Sequence, residues 1–345
     1  MKKRKSPGIL LAAAVVLMAA GCGNNGAKET AATETSGTET TAPETASAEV
    51  KETETTEAEA TDTEADDTKA AANEAGASDE KEWHEVEING QKFMTDGYLV
   101  QEPDCDIDIT QAKFSDFGDY FGEEYPVTTE SYKLMEGTDY EMEVVHISSE
   151  TPGPVVYIVG GVHGDERAGW FTGSLMKKAT ISSGELYVLA PANAKGAREL
   201  ERYVDGEDMN RAFPGKEDGT PAEQTAAAIY GDIRDKQPEF LFDLHEAIIY
   251  TEGRDFLGST LIFTDLSKME DLFFDLLFAT QDGTICSQPF NYNGPGPAGS
   301  INSVVTTELG IPTVTVETFR GFQIENRVAD QLAIVEFVLQ YKGMR

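Results

Sequence analysis

The stretch Val155–Trp170, VVYIVGGVHGDERAGW, decides how the chain is read. Its first residues form an apolar, β-branched run of strand length that breaks at Gly160-Gly161. His163 and Glu166 follow, three residues apart, where helix-type spacing begins. A strand closed by a glycine turn and followed by a helix is one βα unit. At i and i+3 an imidazole and a carboxylate share a helix face and can reach one cation. Alone, H-x-x-E describes a solvated polar turn more often than a metal site.

Outward from that unit the pattern alternates. Phe171–Ala179 has helical spacing, and Leu186–Ala190 (LYVLA) reads as a strand ending at Pro191. Thr220-Pro221-Ala222-Glu223 carries a Thr cap, a proline at the first helical position and a glutamate three residues after the cap. Those are helix-start signals, and that helix should run to about Asp235. Phe240–Leu244, Thr260–Thr264 and Thr313–Val316 read as strands; Met269–Ala279 and Val328–Tyr341 read as helices. The alternation predicts an α/β fold, a mostly parallel or mixed central sheet with helices on both faces. Sites in such open sheets form outside the carboxyl ends of the strands. The preceding Trp83–Thr151 is a β-rich lead-in, with Glu141–Ile147 as a strand. His146, inside that strand, reads as a packed or half-exposed histidine rather than a ligand, and His84 as inert.

The ionisable residues gather at four strand ends. His163 and Glu166 follow the first strand. Arg198, Arg202 and the run Asp208–Gly215 (DMNRAFPG) lie in the loop after the second. His245 ends the third, in Phe242–Ala247, and Glu317 ends the last, in Val314–Thr318. A histidine ending a strand, or Asn-Arg in a loop, carries no function by itself. Glu317 in an apolar strand is harder to dismiss, because an unpaired buried carboxylate is costly. Of four histidines in the chain, two stand at these stations.

Residue type assigns roles to that convergence. Two neutral imidazoles and one carboxylate form a three-ligand zinc set that leaves a fourth position open. Zinc lowers the pKa of water towards neutrality and polarises a carbonyl. Glu317 would take the water proton and return it to the leaving nitrogen, and an arginine would stabilise the oxyanion. Arg211 beside Asn210 would hold a substrate carboxylate, for which a planar guanidinium is suited. Asp208 could hydrogen-bond a metal-bound histidine.

The N-terminus has a different character. Lys2, Lys3, Arg4 and Lys5 precede the apolar run Ile9–Ala20, and Ala19-Ala20-Gly21 leads into Cys22. That pattern is a signal peptide, too short to span a bilayer comfortably. It resembles a bacterial lipoprotein signal with Cys22 lipidated, so residues 1–22 are expected to export the protein and anchor it to the outer face of the cell membrane. Residues 23–82 are Thr/Glu/Ala-rich, with 17 acidic residues against four lysines. Such a segment cannot bury enough apolar surface to order itself; as a flexible tether it would span roughly 40–45 Å. Residues 83–345 then form one folded domain. The chain carries −35, of which the signal contributes +4 and the linker −13, leaving −26 on the domain. That charge argues against nucleic acid or other polyanions as partners. Cys105 and Cys286 could pair, but no C-x-x-C motif accompanies them.

The ordered motifs HGDE, D-x-N-R-x-F-P-G, D-L-H-E-A and T-V-E-T resemble the zinc carboxypeptidase superfamily, specifically its succinylglutamate desuccinylase/aspartoacylase-like branch, over roughly Tyr125 to Met344. The resemblance implies zinc on His163, Glu166 and His245, with Glu317 as general base. It implies Arg202 as the carbonyl-polarising arginine and Asn210 with Arg211 as the carboxylate-binding pair. Gly206-Glu207 makes the loop from Arg202 to Asn210 one residue longer than the family's, so Arg198 stands as a substitute for Arg202. Tyr292 is a guess for a substrate-capping tyrosine, and Arg320 and Arg327 are further candidates for the lining. Two substrates suit such a site: a peptide C-terminus, including that of a cell-wall peptide, or an N-acyl amino acid. Export favours the peptide, and hence a metallocarboxypeptidase, over a deacylase. A surface-displayed binding module without catalysis is a third possibility, which retention of a general base argues against.

Overall fold

The computed structural model describes residues 82–88, 91–249 and 258–345. The chain divides into two units at residues 75 and 76, and all that follows concerns the second. The expected signal, and the linker apart from Glu82, lie outside the described residues. Among the described residues no helix is long and apolar enough to cross a membrane.

In chain order the elements are β1 (His84–Ile88), β2 (Gln91–Thr95), β3 (Val127–Leu134), β4 (Met142–Ser149), β5 (Val155–Gly160), α1 (Arg167–Met176), β6 (Glu185–Leu189), α2 (Ala194–Glu199), α3 (Pro221–Lys236), β7 (Phe240–Ala247), β8 (Thr260–Phe263), α4 (Glu270–Gln281), β9 (Asn291–Asn293), α5 (Ile301–Val304), β10 (Thr313–Phe319) and α6 (Ile324–Tyr341). β1 and β2 form a separate hairpin. The other eight strands make one mixed sheet in the order β3-β4-β6-β5-β7-β10-β8-β9. Its centre, β6-β5-β7-β10, is parallel, as expected for strands joined through helices. The flanks add antiparallel pairings: β3 with β4, β4 with β6, and β8 with β10. A mixed sheet results.

Strand periodicity distributes the core over the two faces. Along β7, Phe240, Phe242 and Leu244 join one buried layer with Leu175 of α1, Leu276 of α4 and Val335 of α6. Leu241 joins the other with Ala226 and Ile229 of α3 and Ile301 of α5. Asp243 and His245 alternate in step with Leu241, so they face this second layer. β7 is therefore buried throughout, with Asp243 and His245 on one face and Glu246 on the other. The expected start of α3 is present in full: Thr220 Oγ1 accepts from Glu223 N, and the Glu223 carboxylate accepts from Thr220 N.

Glycine sets the distance between α1 and the sheet. A Cβ on Gly160 would lie 2.4 Å from the Gly169 carbonyl oxygen, and one on Gly169 would lie 2.4 Å from that of Leu244. The helix thus rests its backbone directly on β5 and β7, which brings its first residues beside His245. Gly161, at φ +75°, makes the turn out of β5.

Three expectations need correction. His163 and Glu166 do not share a helix face, because α1 begins at Arg167 and Glu166 is its N-cap. The tight turn between them, with Glu166 N donating to the His163 carbonyl at 3.3 Å, brings them together instead. Next, β7 and β10 run past His245 and Glu317 to Ala247 and Phe319, so both residues sit inside strands. Finally, the strands forming the hairpin and β9, together with α2 and α5, were not marked by periodicity, being short or polar.

Candidate metal centre and active site

The site stands at the carboxyl ends of the parallel strands. Glu166, at 1% exposure, is its centre. His163 Nδ1 lies 2.8 Å from its Oε1, and His245 Nδ1 lies 2.8 Å from its Oε2. The backbone N–H of Glu246 donates to Oε2 at 2.9 Å. The possible ligand atoms of His163, Glu166 and His245 all fall within 4.8 Å of one another. Both imidazoles therefore aim the same nitrogen at one carboxylate, and each is backed on its far side by another. His163 Nε2 lies 3.0 Å from Asp208 Oδ1. His245 Nε2 lies 2.8 Å from Asp243 Oδ1, close but poorly aligned for a hydrogen bond. A carboxylate behind each imidazole is the arrangement that fixes the tautomer and orientation of metal-binding histidines. The donor set fits a zinc ion with an open position.

Neighbouring strands supply the rest. Glu317 of β10 is in register with His245 of β7, so the two side chains stand side by side. Asp243 is held by Thr315 Oγ1, which donates to its Oδ2 at 3.0 Å, and Thr315 accepts from Asn302 Nδ2 at 3.0 Å. Arg202 Nη1 donates to Glu166 Oε1 at 2.6 Å and approaches Asp165 Oδ1 at 3.9 Å. Asn210 is buried, and its Oδ1 accepts from Ile301 N at 3.1 Å. Arg211 opens to solvent, donates to the Asn210 carbonyl at 2.9 Å and lies 3.9 Å from Asp208 Oδ2.

Five carboxylates in this region face two arginines, so its charge is governed by proximity. Burial opposes the charged form of Glu166, but His163, His245 and Arg202 outweigh it and hold its pKa well below the usual range. Burial and Arg202 oppose protonation of His163, yet Glu166 and Asp208 keep its pKa raised. His245 is raised well above its ordinary value, because Asp243 and Glu166 overcome burial. Among the described residues no side chain is in hydrogen-bond or ion-pair contact with Glu317. Burial, reinforced by Glu166 and Asp243 and opposed by His245, pushes its carboxyl up to about 7. The carboxylates crowded around both histidines are what raise their pKa values, and a divalent cation held by neutral imidazoles would offset the same negative charge.

The catalytic-domain model of the succinylglutamate desuccinylase/aspartoacylase family matches residues 152–333, a span that includes every residue just described. The chain belongs to this family. Among solved structures, a succinylglutamate desuccinylase from Silicibacter sp. is 18% identical, over 64% of this chain and 72% of that one, with a TM-score of 0.48. An aspartoacylase family protein from Mesorhizobium loti is also 18% identical, over 71% of both chains, at 0.48. A variant of the cell shape determinant Csd4 from Helicobacter pylori is 15% identical, over 63% of this chain and 55% of that one, at 0.51. Likeness at these identities is one of fold. No curated protein sequence matches.

Several sequence-derived candidates are placed elsewhere in this family member. Arg198 is exposed and donates to the Asp139 carbonyl at 3.3 Å, so Arg202 is the arginine brought to the cluster. Tyr292 lies on β9 with its ring 4.8 Å from that of Phe273, against α4. Arg320 and Arg327 do not line an opening; they are buried in a charged network with Glu102, Asp165 and Glu246. Cys105 and Cys286 are both free. His146 stacks on Tyr187 at 4.3 Å, with Nε2 2.9 Å from Glu185 Oε2. Asp243 escaped the sequence reading, although its place two residues before His245 on one strand puts both on the same face.

Proposed function

We propose that this family member is a zinc-dependent hydrolase that cleaves an amide bond next to a carboxylate, acting as a metallocarboxypeptidase. The observation that carries the proposal is the convergence of both Nδ1 atoms on the Glu166 carboxylate, with Glu317 in register beside His245 and Arg202 within reach. His163, Glu166 and His245 would hold the metal. Bound zinc supplies Lewis acidity, which activates water near neutral pH and polarises a carbonyl. Glu317, its carboxyl pushed by burial up to about 7, suits transfer of a proton from water to the leaving nitrogen. Arg202 would face the scissile carbonyl and stabilise the charge that develops on its oxygen. Arg211, which opens to solvent, and the buried Asn210 beside it would take the substrate carboxylate, with Arg211 as the bidentate partner.

The signal-like residues 1–22 and the acidic segment 23–82 support an exported protein anchored through a lipidated Cys22, its domain on the outer face of the membrane. An anchored exterior enzyme meets peptides, including those of the wall, more readily than cytosolic acyl amino acids. The family's desuccinylase and aspartoacylase description favours the second reading, an N-acyl amino acid deacylase. The test offers the zinc-loaded protein a mixed pool of wall-derived peptides, other peptides and N-acyl amino acids, with products read by mass spectrometry. Loss of one C-terminal residue supports the carboxypeptidase, and release of an acyl group supports the deacylase. No product from a fully loaded protein refutes both and favours a binding module.

A further inference from the structure

The family's catalytic-domain model begins at residue 152, yet one carboxylate from the lead-in reaches the ground beneath the site. Glu102 Oε1 accepts from Arg327 Nη2 at 2.9 Å, and Glu102 Oε2 accepts from Arg320 Nη2 at 3.2 Å. These two arginines hold the two segments that hold Glu166. Arg320 donates to Asp165 Oδ2 at 2.7 Å and to the Asp165 carbonyl at 3.1 Å, gripping the residue just before Glu166, inside the H-x-x-E turn, by both its side chain and its backbone. Arg327 donates to Glu246 Oε1. Glu246 in turn accepts from the Ala168 N–H at 3.0 Å, and its own N–H donates to Glu166. Among the described residues Glu102 is the carboxylate that bridges both arginines.

We propose that Glu102 is a positioning residue, through which the lead-in fixes the turn carrying Glu166 against β7. The segment around it is built to hold it there. Val100 N donates to the Ile248 carbonyl at 3.1 Å, Gln101 N donates to that of Met94 at 2.8 Å, and Leu99 bridges Ile249. Phe93 and Val100 bury themselves with Phe319 and Phe322 in a small core of their own. The lead-in is thereby bonded to the end of β7 and packed on the end of β10, the strands that bear His245 and Glu317. Buried guanidinium groups with two carboxylates each admit little freedom, whereas a single partner lets each fork rotate. Loss of Glu102 leaves Asp165–Arg320 and Glu246–Arg327 as separate pairs, balanced in charge but no longer tied together.

This inference rests on the zinc reading for its functional consequence, but one of its readouts does not. The test compares full-length wild type, Glu102→Gln and Glu102→Asp by hydrogen exchange of metal-free protein, thermal unfolding, and zinc retention against a competing chelator. Glu102→Gln is expected to speed exchange in peptides covering 161–170 and 242–249 while peptides from α3 keep their protection. Zinc should be released about tenfold more readily, as for loss of an outer-shell partner, and Glu102→Asp should recover part of both. Unchanged exchange around 161–170 overturns the proposal, as does an equal loss of protection in α3, which would mark Glu102 as merely structural. If Glu102→Gln fails to accumulate folded, Asp165→Asn is expected to show the same local exchange pattern, and its absence also overturns the proposal. A wild type that binds no zinc defeats the zinc reading, and the exchange pattern still decides the role of Glu102.

Discussion

Replacing Gly169 with alanine tests whether the site depends on how closely α1 rests on the sheet. The new Cβ would lie 2.4 Å from the Leu244 oxygen and 3.1 Å from the Leu244 carbon, where ordinary contact starts at 3.4 Å. Both obstructing atoms are backbone, so the helix must retreat by about 1 Å or β7 must bend. Overpacking of this kind costs about 1–3 kcal/mol, which lowers the melting temperature of a domain this size by about 2–12 °C. Glu166 caps that helix and His245 follows Leu244, so the same retreat pulls the carboxylate from the imidazole it faces at 2.8 Å. The control is the same substitution at Gly231 in α3, whose Cβ would meet nothing nearer than Arg234 Nη2 at 4.0 Å. There alanine should stabilise by about 1 kcal/mol, through helix propensity alone. Thermal unfolding and zinc competition, run on both variants, give the answer. A Gly169→Ala protein as stable as wild type, with unaltered zinc affinity, would refute the reasoning.

Arg202→Ala should lower kcat by about 10²–10³-fold, the usual loss on removing an oxyanion donor, whereas Arg198→Ala should leave kinetics unchanged; steady-state rates on one substrate separate them. Zinc uptake should release protons, because His163 and His245 hold raised pKa values in the metal-free site and must become neutral to bind. Calorimetry in buffers of different ionisation enthalpy counts those protons, and a count of zero at pH 7 contradicts the assigned ligands. Glu317 must be ionised to accept a proton, so activity should fall as pH drops through its pKa. That value is about 7 without metal and should be lower beside a cation. The acid limb of kcat/KM should therefore lie below about pH 7, and Glu317→Gln should abolish turnover while zinc stays bound.

Much of this was legible in the chain, for reasons that can be stated. Long strands with strict alternation or continuous burial, such as Phe240–Ala247, announce themselves through apolar residues, and α3 announces itself through Thr220 and Glu223. The cluster was legible because each member lies near or beyond the carboxyl end of a strand, and parallel strands deliver those ends to one edge. What periodicity could not reveal was registry between distant strands: that Glu317 faces His245, or that Thr315 holds Asp243. Arg198 and Arg202 differ by four residues and looked interchangeable. They diverge because α2 ends in a left-handed residue, Leu200, between them. Arg320 and Arg327 attracted attention as cations near a catalytic strand. Their real partners, Glu102, Asp165 and Glu246, lie 81 to 225 positions away in sequence, beyond any local pattern.

The central claim is that His163, Glu166 and His245 bind one zinc ion. Its most direct test is the metal content of protein purified without chelator, reconstituted, freed of loose metal and measured by mass spectrometry beside His245→Ala. The account predicts one zinc per chain in the wild type and a loss of most of it in the variant. A wild type that stays free of zinc after reconstitution, or a variant that binds as much as wild type, would contradict it.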